Sequence, residues 1–267
     1  MKSDWRSYDG IAERYDRIWS ARFLAVARKI CACLPPRPGD RMLDIGTGTG
    51  IVPMAACETA PRNLSVVGCD RSARMLLQAR AQVAGLSVLE ADATALPFRN
   101  GSFDLATASF VLSHVGEFAR ALAEASRVLK REGKLAVSNW APPTDPYGPA
   151  WNDCLAEAIS KPEVDGAVRE VVPCEDDFSR PGRLEAVLAN AGFAVTVSDS
   201  LDLEMDLTID QFLEDRELSS AGRRGLDLLG PTRWAEFCAA ARERLADLFG
   251  PTIVYRRSAL IVVGRKP

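Results

Sequence analysis

MLDIGTGTG (residues 42–50) decides the fold: an apolar run ends in an acid and is followed by glycines at every second position. Strand, tight turn and helix start together make a βα unit that holds a ligand at the carboxyl end of a parallel strand. A dinucleotide turn needs a small residue three positions beyond its second glycine, where helix and strand pack closely. Counted from Gly46 and Gly48, that position is Ile51, whereas the third glycine is Gly50. Asp44, two residues before the first glycine, has the wrong sign for a pyrophosphate and the right one for a cationic ligand. Pro53 falls in the first turn of the following helix, where its missing N–H costs little.

Two further acids fix the rest of the ligand. Asp70 stands twenty residues after Gly50, at the end of the next apolar run, where a carboxylate accepts both hydroxyls of a ribose. A nicotinamide enzyme places an acid similarly, so Asp70 alone does not discriminate. In EADATALPFRNGSFD (90–104), Asp92 follows a third apolar run and can accept from an exocyclic adenine amine, while Ala93 offers a backbone N–H to the ring. The ligand reads as an adenosine with a cationic, non-phosphate tail.

Composition sets the class. A chain of 267 residues, 47% hydrophobic, can bury one large α/β core with a small appended lobe. A net charge of -3 and a pI near 5.4 offer no general attraction to nucleic acid or anionic membranes. The N-terminus lacks the apolar core of a signal peptide and no stretch reaches membrane-span length, so a cytoplasmic protein without a membrane partner is expected. The seven cysteines form neither a C-x-x-C pair nor a metal-ligand spacing; they read as buried thiols in a reducing compartment, and no metal site is expected.

After the breaker-rich CLPPRPGD (33–40), short apolar runs alternate with amphipathic segments, the rhythm of a parallel sheet covered on both faces. Strands are read at 41–45, 64–69, 86–90, 103–108 and 134–138, and a helix over 118–129 that "REGK" ends at Gly133. Two more strands are read at 192–199 and 258–265. Between them a Thr208/Gln211 capping box and the helical spacing of Trp234, Phe237, Cys238, Ala241, Leu245 and Leu248 predict two inserted helices. Residues 139–181, rich in Pro, Gly and aromatics, read as an irregular lid. The expected organisation is residues 1–40 as N-terminal helices over the ligand site, 41–138 with 182–267 as the core, and 139–181 with 200–250 as cap insertions forming a substrate pocket.

YDGIAERYDRI, LDIGTGTG, VVGCDRSARMLLQAR, EADATALPFRNGSFD, ASFVLSHV, EASRVLKREGKL and LEAVLANAGF, in this order over roughly residues 8–198, resemble the class I S-adenosylmethionine-dependent methyltransferases. The likeness is to the group containing quinone-biosynthesis C-methyltransferases and natural-product methyltransferases. It implies an α/β, Rossmann-like fold with a seven-stranded sheet of order 3-2-1-4-5-7-6, the last strand antiparallel. It also implies S-adenosylmethionine as cofactor and S-adenosylhomocysteine as its product. Carried onto this chain, the family's roles place the methionyl tail at Asp44, Gly46 and Gly48, with Thr47 and Gly50 in the same turn, and the ribose at Asp70. Arg71 and Met75 lie along the adenine, with Asp92 and Ala93 at its edge. Ser109 and Phe110 border the methionyl group and the acceptor, and Tyr15 folds over the cofactor.

Methyl transfer from a sulfonium needs alignment and exclusion of water, and a base only where the acceptor must lose a proton. His114, the single histidine, follows the fourth strand and is the candidate base, with a packing or hydrogen-bonding role as the alternative. Trp5, Tyr8, Tyr15, Trp19 and Trp140 can wall the site. APPT (141–144) and VPC (172–174) superficially match nucleic-acid methylase motifs but lie outside the loop after the fourth strand; Glu175, Asp176 and Asp177 read as a solvated turn. The leading expectation is an enzyme methylating a small apolar or aromatic metabolite, with no nucleic-acid partner. Competing readings are a non-methylating cyclisation, decarboxylation or rearrangement, and a non-catalytic cofactor binder. Oligomeric state stays open, a homodimer being one option.

Overall fold

The computed structural model describes residues 4–59 and 63–267. Its centre is a sheet of β1 (Arg41–Ile45), β2 (Ser65–Asp70), β3 (Ser87–Glu90), β4 (Phe103–Ser109), β5 (Leu129–Trp140), β6 (Ala194–Thr208) and β7 (Thr252–Arg265). The strand order is β3-β2-β1-β4-β5-β7-β6, with β7 antiparallel to both neighbours, as the family resemblance implies. β1 is central, so four of its five residues are buried and it carries no polar alternation.

Each face of the sheet has its own helical layer. α1 (Ala12–Cys33) and α2 (Ile51–Thr59) pack Val26, Ile30, Val52 and Ala55 against Met42, Leu105, Ala136 and Ile261. α3 (Ala73–Gln82) closes the β2–β3 end of that layer through Ala79. On the other face α4 (Phe118–Val128) lays Ala121, Leu122, Ala125 and Val128 on Leu43, Ala106 and Leu135. This is the predicted apolar stripe.

α4 ends sooner than its sequence predicts. Leu129 already pairs with Phe103 in the sheet, and Glu132 takes the left-handed turn (φ 64°) that the reading gave to Gly133. Gly133 is needed for space instead: a Cβ there would lie 2.8 Å from the Lys130 carbonyl oxygen.

Residues 139–181 are helical rather than irregular: α5 (Tyr147–Ile159), α6 (Lys161–Val171) and the single turn α7 (Glu175–Phe178), after which α8 (Arg183–Asn190) returns to the sheet. β6 and β7 run past the sheet as a two-stranded ribbon, Leu201–Thr208 paired with Thr252–Ala259. At its tip sit α9 (Ile209–Leu218), opened by the predicted Thr208/Gln211 capping box, and α10 (Ser220–Phe249). α10 breaks at Gly230 (φ 72°), and Pro231 starts its second arm. Trp151, Leu155, Phe212, Leu213, Trp234 and Leu245 join α5, α6, α9 and α10 into a core of their own above the carboxyl edge of the sheet. Among the described residues no helix is long and apolar enough to cross a membrane.

Candidate active site

The glycine turn leaves β1 with Gly46, Gly48 and Gly50 all at positive φ (66°, 53° and 88°), which accounts for their alternate spacing. At Gly46 a side chain is also blocked, since a Cβ would lie 2.3 Å from the Val111 side chain. Gly50 serves packing, its Cα facing Ala79 of α3 behind the turn. Thr47 N–H donates to the Cys69 carbonyl (2.8 Å) and Gly48 N–H to the Asp70 carboxylate (2.9 Å), so the turn is tied to β2.

Asp44 sits below this turn, 1% exposed, and accepts from the Thr107 hydroxyl at 2.6 Å. The parallel register sets Asp44 opposite Thr107 and makes that bond. Burial pushes the Asp44 carboxyl up to about 7, against the lowering effect of the Thr107 bond. Tyr15, Phe23, Asp44, Gly46, Thr47, Gly48, Ser109 and Phe110 line one narrow cleft. Seven of the predicted cofactor residues meet there. Phe23 joins them unpredicted; its signal was Tyr15, Trp19 and Phe23 at successive four-residue steps of α1.

Asp70 closes the rim. Its carboxylate accepts from the backbone N–H groups of Gly48 and Ser72, each at 2.9 Å, and burial raises its proton affinity. Ser72 caps α3 through Met75 N–H, which buries Met75 beneath the rim. Asp9 accepts from the Ser72 hydroxyl (2.6 Å) and Arg74 N–H (3.1 Å), docking the N-terminal segment on the same cap. Arg71 is exposed, its Nε 3.8 Å from the Asp92 carboxylate. Bonds from Thr94 hold Asp92 below the ordinary carboxylate range, and Ala93 beside it is buried. Asp70, Arg71, Met75, Asp92 and Ala93 form a second group at the β2 and β3 tips, joined to the cleft through the Asp70–Gly48 bond.

Beyond the cleft runs a chain of rings. His114 meets Tyr8 edge-on (5.7 Å between centroids), Tyr8 meets Tyr15 (5.9 Å), Tyr15 stacks on Phe23 (5.7 Å), Phe23 meets Phe110 (5.1 Å) and Phe110 stacks on Trp140 (4.3 Å). Phe110 holds φ at 56°, a conformation costing a non-glycine residue about 1–2 kcal/mol, at the point where β4 meets the cleft. Of the five aromatics expected to wall the site, Trp5 lies apart under Arg6 and Arg224, and Trp19 touches Tyr15 but turns its N–H to Asp215.

His114 closes a turn of 3-10 helix (Leu112–His114), and its Nδ1–H donates to the Val171 carbonyl at 3.0 Å. That bond leaves Nε2 with the lone pair. Burial lowers the imidazole to about 4, so it is neutral at pH 7. Within the acidic run Asp176 is exposed, but Glu175 departs from a solvated turn: it is half-buried, burial raises its proton affinity, and the Ser113 hydroxyl donates to it. Cys174 lies beside the same turn in space, but its thiol donates to the Val115 carbonyl and burial pushes its pKa up, which removes nucleophilic character. Among the described residues no cluster of metal-binding side chains occurs.

The donor set fits a nucleoside with a cationic tail. A buried acid underlies the turn, Gly46 and Gly48 leave backbone uncovered, the Thr49 hydroxyl is buried without a partner, and Asp70 keeps unused lone pairs.

Comparison with known proteins agrees. Residues 43–137 match the methyltransferase domain family. A demethylmenaquinone methyltransferase of Thermus thermophilus is 34% identical over 205 residues, 70% of this chain and 91% of that enzyme. Nocamycin O-methyltransferase of Saccharothrix syringae is 29% identical over 97% of this chain and 96% of its own. Matches to demethylmenaquinone methyltransferases of other bacteria span 59% to 67% of those enzymes. A methyltransferase structure from Thermotoga maritima shares the fold with TM-score 0.54 at 20% identity, covering 99% of this chain and 100% of that one. Turn, sheet order and relatives together show that the chain belongs to the class I S-adenosylmethionine-dependent methyltransferases, in the group with the quinone-biosynthesis and natural-product enzymes.

Proposed function

We propose that this enzyme methylates a small metabolite with an aromatic or conjugated body, in natural-product biosynthesis. The observation that carries the reading is the ring chain from His114 to Trp140, which borders the carboxyl edge of the sheet beneath a helical cap. Relatedness to nocamycin O-methyltransferase along 97% of the chain, cap included, supports a natural product as the acceptor. Seven free cysteines suit a cytoplasmic setting.

In this reading Asp44, Gly46, Thr47 and Gly48 hold the methionyl end of S-adenosylmethionine, with Gly50 shaping their turn. Asp70 takes the ribose hydroxyls, and Arg71, Met75, Asp92 and Ala93 surround the adenine. Tyr15 and Phe23 exclude water, and Ser109 with Phe110 faces the acceptor. The cofactor supplies an electrophilic methyl on a sulfonium. His114, oriented by Val171, holds the acceptor proton at Nε2.

The enzyme is tested by incubation with S-adenosylmethionine and a panel of phenols and naphthohydroquinones. Acceptor-dependent S-adenosylhomocysteine with a methylated product is expected; turnover that consumes no methyl group would reject methyl transfer. In the same assay His114→Gln lowers turnover about 100-fold, with S-adenosylhomocysteine affinity unchanged. Equal loss of both would make His114 structural.

Asp44 gives a pH signature. Its folded pKa of about 7 exceeds the ordinary value, so in the free protein the carboxyl is protonated below that pH. An ammonium brought beside it favours the ionised form, so cofactor binding releases a proton at pH 6 and none at pH 8.5, and affinity rises with pH up to about 7. Calorimetry in buffers of different ionisation enthalpy reads the proton directly. Asp44→Asn abolishes the release.

A further inference from the structure

Three arginines crowd the top of the ribbon. Arg22 and Arg216 share the buried Asp215, and Arg256 on the outer face pairs with Glu204. Arg257 differs from all three. Among the described residues, Arg223 and Arg257 are the buried or half-buried arginines without a carboxylate partner; the Nε of each is unpartnered, but Arg223 places its Nη1 on the Arg6 and Ser7 carbonyls and lies over the Tyr8 ring. Arg257 has one long bond, to the Tyr255 hydroxyl at 3.4 Å, which Arg216 also reaches at 3.3 Å. Its Nε is out of solvent with no hydrogen-bond partner.

Its place follows from the sheet. β7 sets Ala259 opposite Trp140, and Arg257, two residues on, shares that face. The guanidinium lies over the Trp140 ring at 4.7 Å, Trp140 stacks on Phe110, and Phe110 lines the cofactor cleft. The acid that faces it, Glu175, is held by Ser113 and is not within ion-pair distance. A half-buried cation whose Nε is out of solvent and unpartnered, one ring pair from the cofactor cleft, has donors left for a ligand.

We propose that Arg257 binds an anionic oxygen of the acceptor, a carboxylate or an ionised enol, so that the substrate of the methyltransferase proposed above is an acid. The aromatic rings take the body of the molecule and Arg257 fixes its charged end. Arg257 is then the residue that selects among acceptors of similar shape.

Protein saturated with S-adenosylhomocysteine is titrated with benzoate and tetronic acid, and with benzamide and γ-butyrolactone as neutral counterparts, by ligand-observed NMR. At least one anion binds about tenfold or more tightly than its neutral counterpart, and which of them does so separates carboxylate from enol. Arg257→Gln removes the preference and Arg257→Lys restores part of it, while S-adenosylhomocysteine affinity stays unchanged in both variants. Equal binding of anion and neutral counterpart, no binding of either, or a preference that survives Arg257→Gln overturns the assignment. Failure of S-adenosylhomocysteine itself to bind the unmodified protein overturns the methyltransferase reading, and the acceptor assignment with it.

Discussion

Asp215→Ala lowers the unfolding free energy by about 3–5 kcal/mol. The carboxylate is 1% exposed and is the meeting point of three donors: Arg22, the Trp19 indole N–H at 2.5 Å and Arg216 at 2.6 Å. Removing it leaves two largely buried guanidinium groups facing each other without a counter-charge, which is the costly way to break a buried pair. Burial alone would raise the Asp215 carboxyl, but Arg216 and Arg22 hold it below the ordinary range. Its contribution is therefore present at neutral pH and is lost as pH falls through the lowered value. Urea unfolding followed by tryptophan fluorescence measures the change. A loss under about 1 kcal/mol would mean that the triad behaves as a surface pair. Asp215→Asn, which keeps the shape and the Trp19 bond, falls between the two.

Asp70→Ala weakens S-adenosylhomocysteine binding about 100-fold. Two hydrogen bonds from ribose hydroxyls to a carboxylate are together worth about 3 kcal/mol or more, and each 1.4 kcal/mol is tenfold. The same carboxylate fastens Gly48 N–H and Ser72 N–H, so its loss also loosens the turn. Asp70→Asn keeps one acceptor oxygen and separates the effects: backbone anchoring is partly retained while affinity stays low. Calorimetric affinity within threefold of the parent would reject the ribose placement.

The glycine turn was legible because backbone geometry is local. Three alternate residues at φ 66°, 53° and 88° strongly favour glycine, so the spacing carried over directly into the cleft. The first four strands were legible for a similar reason, as short apolar runs between breakers. The ribbon was missed although Leu201, Leu203, Met205 and Leu207 alternate with Asp202, Glu204 and Asp206, a clear strand period. Its length, beyond any partner visible in the sequence, drew the segment toward the cap instead.

Charged residues were the least legible. In α9 the run EDRE looks like a solvated face, yet its Asp215 is among the most buried polar groups described. Glu175 reads as one of three surface acids and lies half-buried beside Ser113. Arg257 and Arg256 are neighbours of identical type, and only strand pairing shows that one meets Trp140 while the other meets Glu204. Burial of a charge is decided by contacts far apart in sequence, and single-chain patterning does not record them.

Arg14–Glu217, Arg17–Glu214 and Arg22–Asp215 fasten α1 to the cap helix α9 along two turns and more. α1 carries Tyr15 and Phe23 into the cleft, and in the proposed function the cap stands over the acceptor. The two roofs are thus bolted together. Under the proposed function the residence times of the two products are linked, and cutting the Arg17–Glu214 bolt by Glu214→Ala hastens the departure of both.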